Sequence, residues 1–297
     1  MTRIRQILCP VDFSEISGHA LDHAAAMALW YDARLTLLYV FVNRPTMDLP
    51  PLVLEDADRE RLLTEMRRLP SGVDAEVSLQ FRIEEAERVH DGILAQVAAV
   101  HADLLVIGTH GRSGFQRLFL GSVTEKVIRK APCPTLVVPP RADDAEPDAP
   151  VRFRRILCAV DFSESSVDAV AYAVNMAEET SAQLTLLHVV ELPLVLSPEP
   201  AAFDVDLTRI RDVAAADARR RLHELIPAQA RRRRTVETGV VAGRAHQEIL
   251  RHAAEQQADL VVMGVHGRGA VDRLLFGSTT HHVIRAATCP VLVVRQP

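Results

Sequence analysis

Apolar residues along the chain follow two rhythms. Short runs (Ile7 to Val11, Leu35 to Val42, Val77 to Phe81, Leu104 to Ile107, Thr135 to Val138) are bounded by turn or capping residues, the pattern of buried parallel strands. Longer stretches with helical spacing lie between them. In the first, Leu21, Ala24, Ala25, Ala28 and Leu29 make one apolar stripe, and Ser14 or Ser17 stands where a helix cap belongs. Strands alternating with helices predict βαβ units, whose right-handed crossovers put helices on both faces of a parallel sheet. A ligand in such a sheet belongs at the carboxyl ends of the strands, at a topological switch point.

The pattern occurs twice. The segment from Gln6 to Glu15, QILCPVDFSE, returns as RILCAVDFSE from Arg155 to Glu164, 149 residues on (Asp12 to Asp161). Further along, Gly108-Thr109-His110-Gly111-Arg112 matches Gly264-Val265-His266-Gly267-Arg268, now 156 residues on, so the second copy has gained seven residues in its middle. Its first helical stripe is Ala169, Val170, Ala173, Val174 and Ala177. Residues 141–150, acidic and proline-bearing without an apolar rhythm, read as a linker between domains at 1–140 and 151–297.

The 297 residues suit two domains of this size, and 48% hydrophobic with 25% charged residues is an ordinary globular composition. The formal net charge of -5 argues against nucleic acid as the main partner. No apolar run nears the roughly 18 residues of a membrane span, and the N-terminus lacks the pattern of a signal peptide. A cytoplasmic protein is therefore expected, with no membrane partner. Cys9, Cys133, Cys158 and Cys289 form no CxxC pair and no metal-ligand cluster, and read as reduced core thiols.

The chemistry concentrates in the glycines. After the fourth strand of each copy comes G-x2-G-x9-G-S: Gly108, Gly111, Gly121 and Ser122, then Gly264, Gly267, Gly277 and Ser278. Glycines permit positive φ and close approach of a ligand, and a helix starting at the serine offers unpaired N–H groups to an anion. The serine hydroxyls have two uses, capping the helix or bonding a phosphate oxygen, and Arg112 and Arg268 supply charge. The loop is neither a Walker P-loop nor a GxGxxG turn. Its weight comes from recurring after equivalent strands. At the end of the first strand, Asp12 and Asp161 can accept hydrogen bonds from a ribose or base, or cap the helix that follows.

The segments GTHGRSGFQRLFLGSVTEKVIRKAPCPTLVV and GVHGRGAVDRLLFGSTTHHVIRAATCPVLVV resemble the C-terminal signature of the universal stress protein family, and the likeness spans both copies. It implies an α/β fold of two tandem Rossmann-like domains of the adenine nucleotide alpha hydrolase-like type. Each would hold a five-stranded parallel sheet of order 3-2-1-4-5 and one ATP, with Mg2+ as the companion ion. It further implies that the last strands, Thr135 to Val138 and Val291 to Val294, pair the domains, with a homodimer of tandem chains as an extension. Carried onto this sequence, the nucleotide contacts fall on Pro10, Asp12, the backbone of Val40, Gly108, Gly111, Arg112, Gly121, Ser122 and Val123. In the second copy they fall on Asp161, Val189, Gly264, Gly267, Arg268, Gly277, Ser278 and Thr279. Two departures stand out: Ala159 replaces Pro10, and Glu87 stands where the second copy has Gly243, so a carboxylate turned inward there would weaken anion binding in the first copy.

The remaining features have plainer readings. His110 and His266 lie inside the loops without a neighbour that completes a catalytic pair, so they read as structural or binding residues. His281-His282 decorate the last helix, since adjacent residues do not share a face. The arginine runs at 219–221 and 231–234 are the best case for a polyanion partner, but acidic residues elsewhere offset them, and a solvated helix end and strand entry is the commoner reading. Trp30 and Tyr31 read as packing residues. The function expected is an ATP-binding regulator or protector in a stress response, with at most slow hydrolysis. The alternative is an interaction module whose nucleotide sites are vestigial. A nucleotidyl-transfer enzyme ranks behind both, because PVDFSEIS and AVDFSESS carry no phosphate-activating His or Lys.

Overall fold

A computed structural model describes residues 4–43, 53–70, 73–111, 120–141, 150–191, 207–233, 235–267 and 277–295. The first copy runs β1 (Gln6–Pro10), α1 (Glu15–Tyr31), β2 (Arg34–Val42), α2 (Asp56–Arg68), β3 (Leu79–Ala86), α3 (Val89–Ala99), β4 (Leu104–Gly108), α4 (Ser122–Lys130) and β5 (Thr135–Val138). The second runs β6 (Arg155–Ala159), α5 (Glu164–Thr180), β7 (Gln183–Val190), α6 (Leu207–Leu225), α7 (Ala228–Arg233), β8 (Val236–Ala242), α8 (Ala245–Glu255), β9 (Leu260–Gly264), α9 (Ser278–Ala286) and β10 (Val291–Val294).

The ten strands among the described residues join one sheet in the order β3-β2-β1-β4-β5-β10-β9-β6-β7-β8. Within each copy this is 3-2-1-4-5 and parallel, as the resemblance implied. The copies meet where β5 pairs antiparallel with β10, Leu136 opposite Leu292 and Val137 opposite Val291, every residue of both strands being buried. Alternating side chains fill a layer of helices on each face.

The helical stripes explain the layers. In α5 all five predicted stripe residues are buried, and in α1 Leu21, Ala24, Ala25 and Ala28 are. Leu29 is 41% exposed, because it lies about 100° round the helix from Ala28, at the rim of the stripe. Ser14 is the cap of α1, accepting from the Ser17 backbone N–H at 3.2 Å. The third strand begins at Leu79 rather than Val77 and runs on to Ala86. As an edge strand it carries Arg82, Glu84 and Glu85, which hide it from a search for unbroken apolar runs.

Across the seam, Trp30 packs edge-on to Phe153 at 5.4 Å and Tyr31 donates to Asn175 Oδ1 at 3.1 Å, so both are packing residues. Arg295 of the second copy donates to the carbonyl of Arg129 at 2.6 Å, covering the C-terminus of α4. All four cysteines are free and buried, and burial pushes the Cys133 and Cys289 thiols up to about 12. No helix among the described residues is long and apolar enough to cross a membrane.

His23 gives this region a pH dependence. It is 6% exposed, its Nδ1 lies 3.0 Å from the His19 carbonyl, and burial lowers its pKa to about 4, with His19 lowered as well. A histidine that binds its proton more readily unfolded than folded makes stability fall as the pH drops below 6.5, and the loss is complete near pH 4. For His23 that limb is worth roughly 3 kcal/mol. Urea melts of the wild-type chain between pH 7 and 4 are expected to show it, and His23→Gln to flatten it.

Candidate nucleotide site at the strand ends

Each first strand ends on a carboxylate held by its own turn. Beyond Asp12 and Asp161 the chain enters the left-handed region at Phe13 (φ 62°) and Phe162 (φ 63°), rare for aromatic residues and costing on the order of 1 kcal/mol or more. The turn is bound to the carboxylate. Asp12 Oδ1 accepts from the Ser14 N–H at 3.1 Å and its hydroxyl at 2.5 Å, and Asp161 Oδ1 accepts from Ser163 at 2.9 and 2.5 Å. The helix caps are therefore Ser14 and Ser163, and the aspartates stand behind them. Each aspartate's other oxygen, Oδ2, faces the glycine loop: a Cβ at Gly267 would lie 2.8 Å from Asp161 Oδ2, and one at Gly111 would strike Asp12 Oδ2.

That contact revises the reason for the glycines. Among the described loop glycines none adopts the left-handed φ that the sequence suggested; what excludes a side chain is space. Gly108 lies under Ile16 and Gly264 under Ser165, with a Cβ 2.6 and 2.5 Å from the nearest atom of each, so these two serve close packing of strand on helix. Gly121 and Gly277 are the caps of α4 and α9, and their Cβ positions fall 3.0 and 3.1 Å from the carbonyls of Thr109 and Val265. Ser122 and Ser278 thus occupy the first helical position. The N–H groups of Ser122, Val123, Ser278 and Thr279 belong to the first turn, which has no intrahelical acceptors. Thr124 and Thr280 donate to the carbonyls of Gly108 and Gly264 at 2.8 and 2.9 Å, pinning each helix start to its strand.

In the second copy these pieces enclose a cavity of about 740 Å³. Asp161, Val189, Gly264, Gly267, Gly277, Ser278 and Thr279, seven of the eight residues singled out in that copy, line it together. The eighth, Arg268, lies outside the described residues, as does Arg112 of the first copy. In the first copy Asp12, Gly108, Gly111, Gly121, Ser122 and Val123 gather at the corresponding strand ends. Pro10 is half-buried at the end of β1, and Val40 packs its side chain under Gly92 of α3. His110 Nδ1 lies 3.1 Å from Thr109 Oγ1, while its buried Nε2 has no hydrogen-bond partner among the described residues, and burial lowers its pKa.

The sequence profile of the universal stress protein family matches twice, over residues 3–139 and 152–295. The chain belongs to the universal stress protein family. A universal stress protein of Mycobacterium tuberculosis H37Rv is 28% identical over 307 aligned residues, covering 98% of this chain and 97% of the relative. A shorter one from Methanocaldococcus jannaschii is 30% identical over 146 residues, 49% of this chain and 84% of that protein. Among solved structures, a universal stress protein from Archaeoglobus fulgidus superposes with a TM-score of 0.62 at 24% identity, covering 98% of each chain. A functionally unknown protein from Pseudomonas aeruginosa PAO1 superposes at 0.70 and 20%, covering 99% of this chain and 94% of the other. These two likenesses speak to fold alone.

The two candidate sites of this tandem universal stress protein are built unequally. Glu87, just beyond β3, is exposed. In the second copy Glu191, exposed as well, lines the cavity and accepts from the Ala245 N–H at 2.6 Å, covering the start of α8 beside Gly243. Ser165, where the first copy has Ile16, donates to the His266 carbonyl at 2.7 Å and anchors the second glycine loop. Three further lining residues form a cluster. Phe162 and His188 pack ring to ring at 4.6 Å, and Arg221 lies 3.9 Å over the Phe162 ring. His188 had a signal, since it stands where Tyr39 packs on Phe13. Arg221 stood in an arginine run whose commoner reading is a solvated helix end.

Proposed function

We propose that this universal stress protein binds adenine nucleotide at the carboxyl ends of β6, β7 and β9 and at the matching place in the first copy, and acts as a nucleotide-dependent regulator or protector in stress. The observation that carries this reading is the cavity that Asp161, Val189 and the glycine loop line together. ATP fits the donors present. The first turn of α9 offers N–H groups to a phosphate chain, the Asp161 carboxylate suits ribose hydroxyls, and the end of β7 at Val189 offers backbone groups to a base. A bound triphosphate would bring its own Mg2+, because among the described residues no three His, Cys, Asp or Glu side chains gather to hold one. On this reading hydrolysis is slow at most. The β5–β10 seam joins the two copies within one chain, so pairing does not require a second chain.

Equilibrium dialysis of the full chain against millimolar ATP, followed by mass analysis of the retained nucleotide, tests the reading. Close to one or two ATP per chain is expected. An empty protein under those conditions would leave the interaction-module reading in its place.

A further inference from the structure

Ile16 and Ser165 hold the same place in the two copies, in the first turn of α1 and of α5 and against the first glycine of each loop. Ser165 is only 6% exposed, so water competes little for its hydroxyl. That hydroxyl donates to the His266 carbonyl at 2.7 Å. The Ser163 hydroxyl lies 3.2 Å from the same carbonyl but 2.5 Å from Asp161 Oδ1, and its one proton goes to the carboxylate. Ser165 is therefore the residue that holds the carbonyl.

The held carbonyl fixes a donor. No described peptide bond is cis, and in a planar trans peptide the C=O and the N–H that follows it point opposite ways. With the His266 carbonyl drawn against α5, the Gly267 N–H is turned away from that helix, toward the cavity that Gly267 lines. The Gly267 nitrogen lies 3.7 Å from the Cβ position of Gly277, the cap of α9. It stands at the head of that helix, near the N–H groups of Ser278 and Thr279, and no described carbonyl accepts from it. In the first copy the His110 carbonyl lies 3.3 Å from the Cβ position of Gly108, on the same side, but Ile16 brings no hydroxyl to it.

Resting on the reading of this cavity as a nucleotide site, we infer that Ser165 is a positioning residue: it locks the His266–Gly267 peptide with the Gly267 N–H set to meet a phosphate group before the ligand arrives. The first site, with Ile16, orders the matching peptide only on binding. A donor set in place beforehand avoids part of the ordering cost of binding.

A threonine and valine pair tests this, because the two side chains share one shape and differ by the hydroxyl, and Ile16 shows that a branched side chain fits the place. The parent is the full chain carrying Gly121→Val, which silences the first site. ATP, and adenosine as a ligand with no phosphate for Gly267 to meet, are titrated by calorimetry into the parent and its Ser165→Thr and Ser165→Val forms. Ser165→Thr is expected to bind ATP within about twofold of the parent and Ser165→Val about fivefold more weakly, the size of one neutral hydrogen bond, with adenosine unchanged in both. In a chain carrying Gly277→Val, Ile16→Ser is expected to tighten ATP binding at the first site by about threefold, a gain that misfolding cannot imitate. Equal ATP affinity of the threonine and valine forms, equal losses of ATP and adenosine, or no gain from Ile16→Ser would each overturn the inference and leave the nucleotide reading standing. A parent that binds neither ligand would remove that reading and the inference with it.

Discussion

Gly277→Val is expected to weaken ATP binding at the second site by about 100-fold or more, about 2.7 kcal/mol, while the chain still folds. A Cβ there would sit 3.1 Å from the Val265 carbonyl, 3.5 Å from Thr280 Oγ1 and 3.7 Å from the Gly267 N–H. The two methyl groups of valine then have one direction left, across the first turn of α9, where Ser278 and Thr279 line the cavity. The fold tolerates the change because Gly277 has φ -60° and ψ 133°, an ordinary extended conformation for any residue. The stability cost is that of a poorer cap and a small shift, about 1 kcal/mol. Gly121→Val is expected to act alike in the first copy, where the gap to the Thr109 carbonyl is 3.0 Å. Titration calorimetry reads the affinity and a urea melt reads the fold.

The second large effect concerns the seam. Leu136 and Leu292 face each other across β5 and β10 and are 0% and 1% exposed. Truncating either to alanine removes buried methyl groups from the centre of a ten-stranded sheet that cannot collapse around the gap, a cost of about 3 kcal/mol each. As direct neighbours they will not add independently. The double variant is expected to separate urea unfolding into two transitions, one per copy, where the wild-type chain shows one. Leu29→Ala, on the exposed rim of α1, is the control and should stay within about 0.5 kcal/mol of wild type.

What could be read from the sequence follows from which signals are local. Strand runs such as Leu104 to Ile107 are buried on both faces and announce themselves, whereas β3, half-buried at the edge, does not. Of the two reasons the glycine spacing suggested, positive φ and close approach of a ligand, the first does not hold. Their φ angles are ordinary, and the crowding by Asp12, Asp161, Thr109 and Val265 appears only once four separate segments are brought together. Ser14 and Asp12 were both reasonable caps, and only the hydrogen bonds distinguish them.

Arg221 was hidden for another reason. The seven added residues break the repeat offset between β7 and α6, so Glu65 and Arg221 cannot be aligned until burial of Met66 and Leu222 restores the register. Charge runs on helices are usually solvated, and two of the three arginines here, Arg219 and Arg220, are exposed. Glu191 is a similar case: its capping of Ala245 joins residues 54 apart in sequence.

The central claim is a pair of related but unequal nucleotide sites at the strand ends. Calorimetric titration of ATP into the wild-type full chain, with the Gly121→Val and Gly277→Val chains alongside, tests it most directly. The account predicts two binding events in the wild type, one lost in Gly121→Val and the other lost in Gly277→Val. Absence of ATP binding to the wild-type chain at millimolar concentration, or affinity untouched by both substitutions, would contradict it.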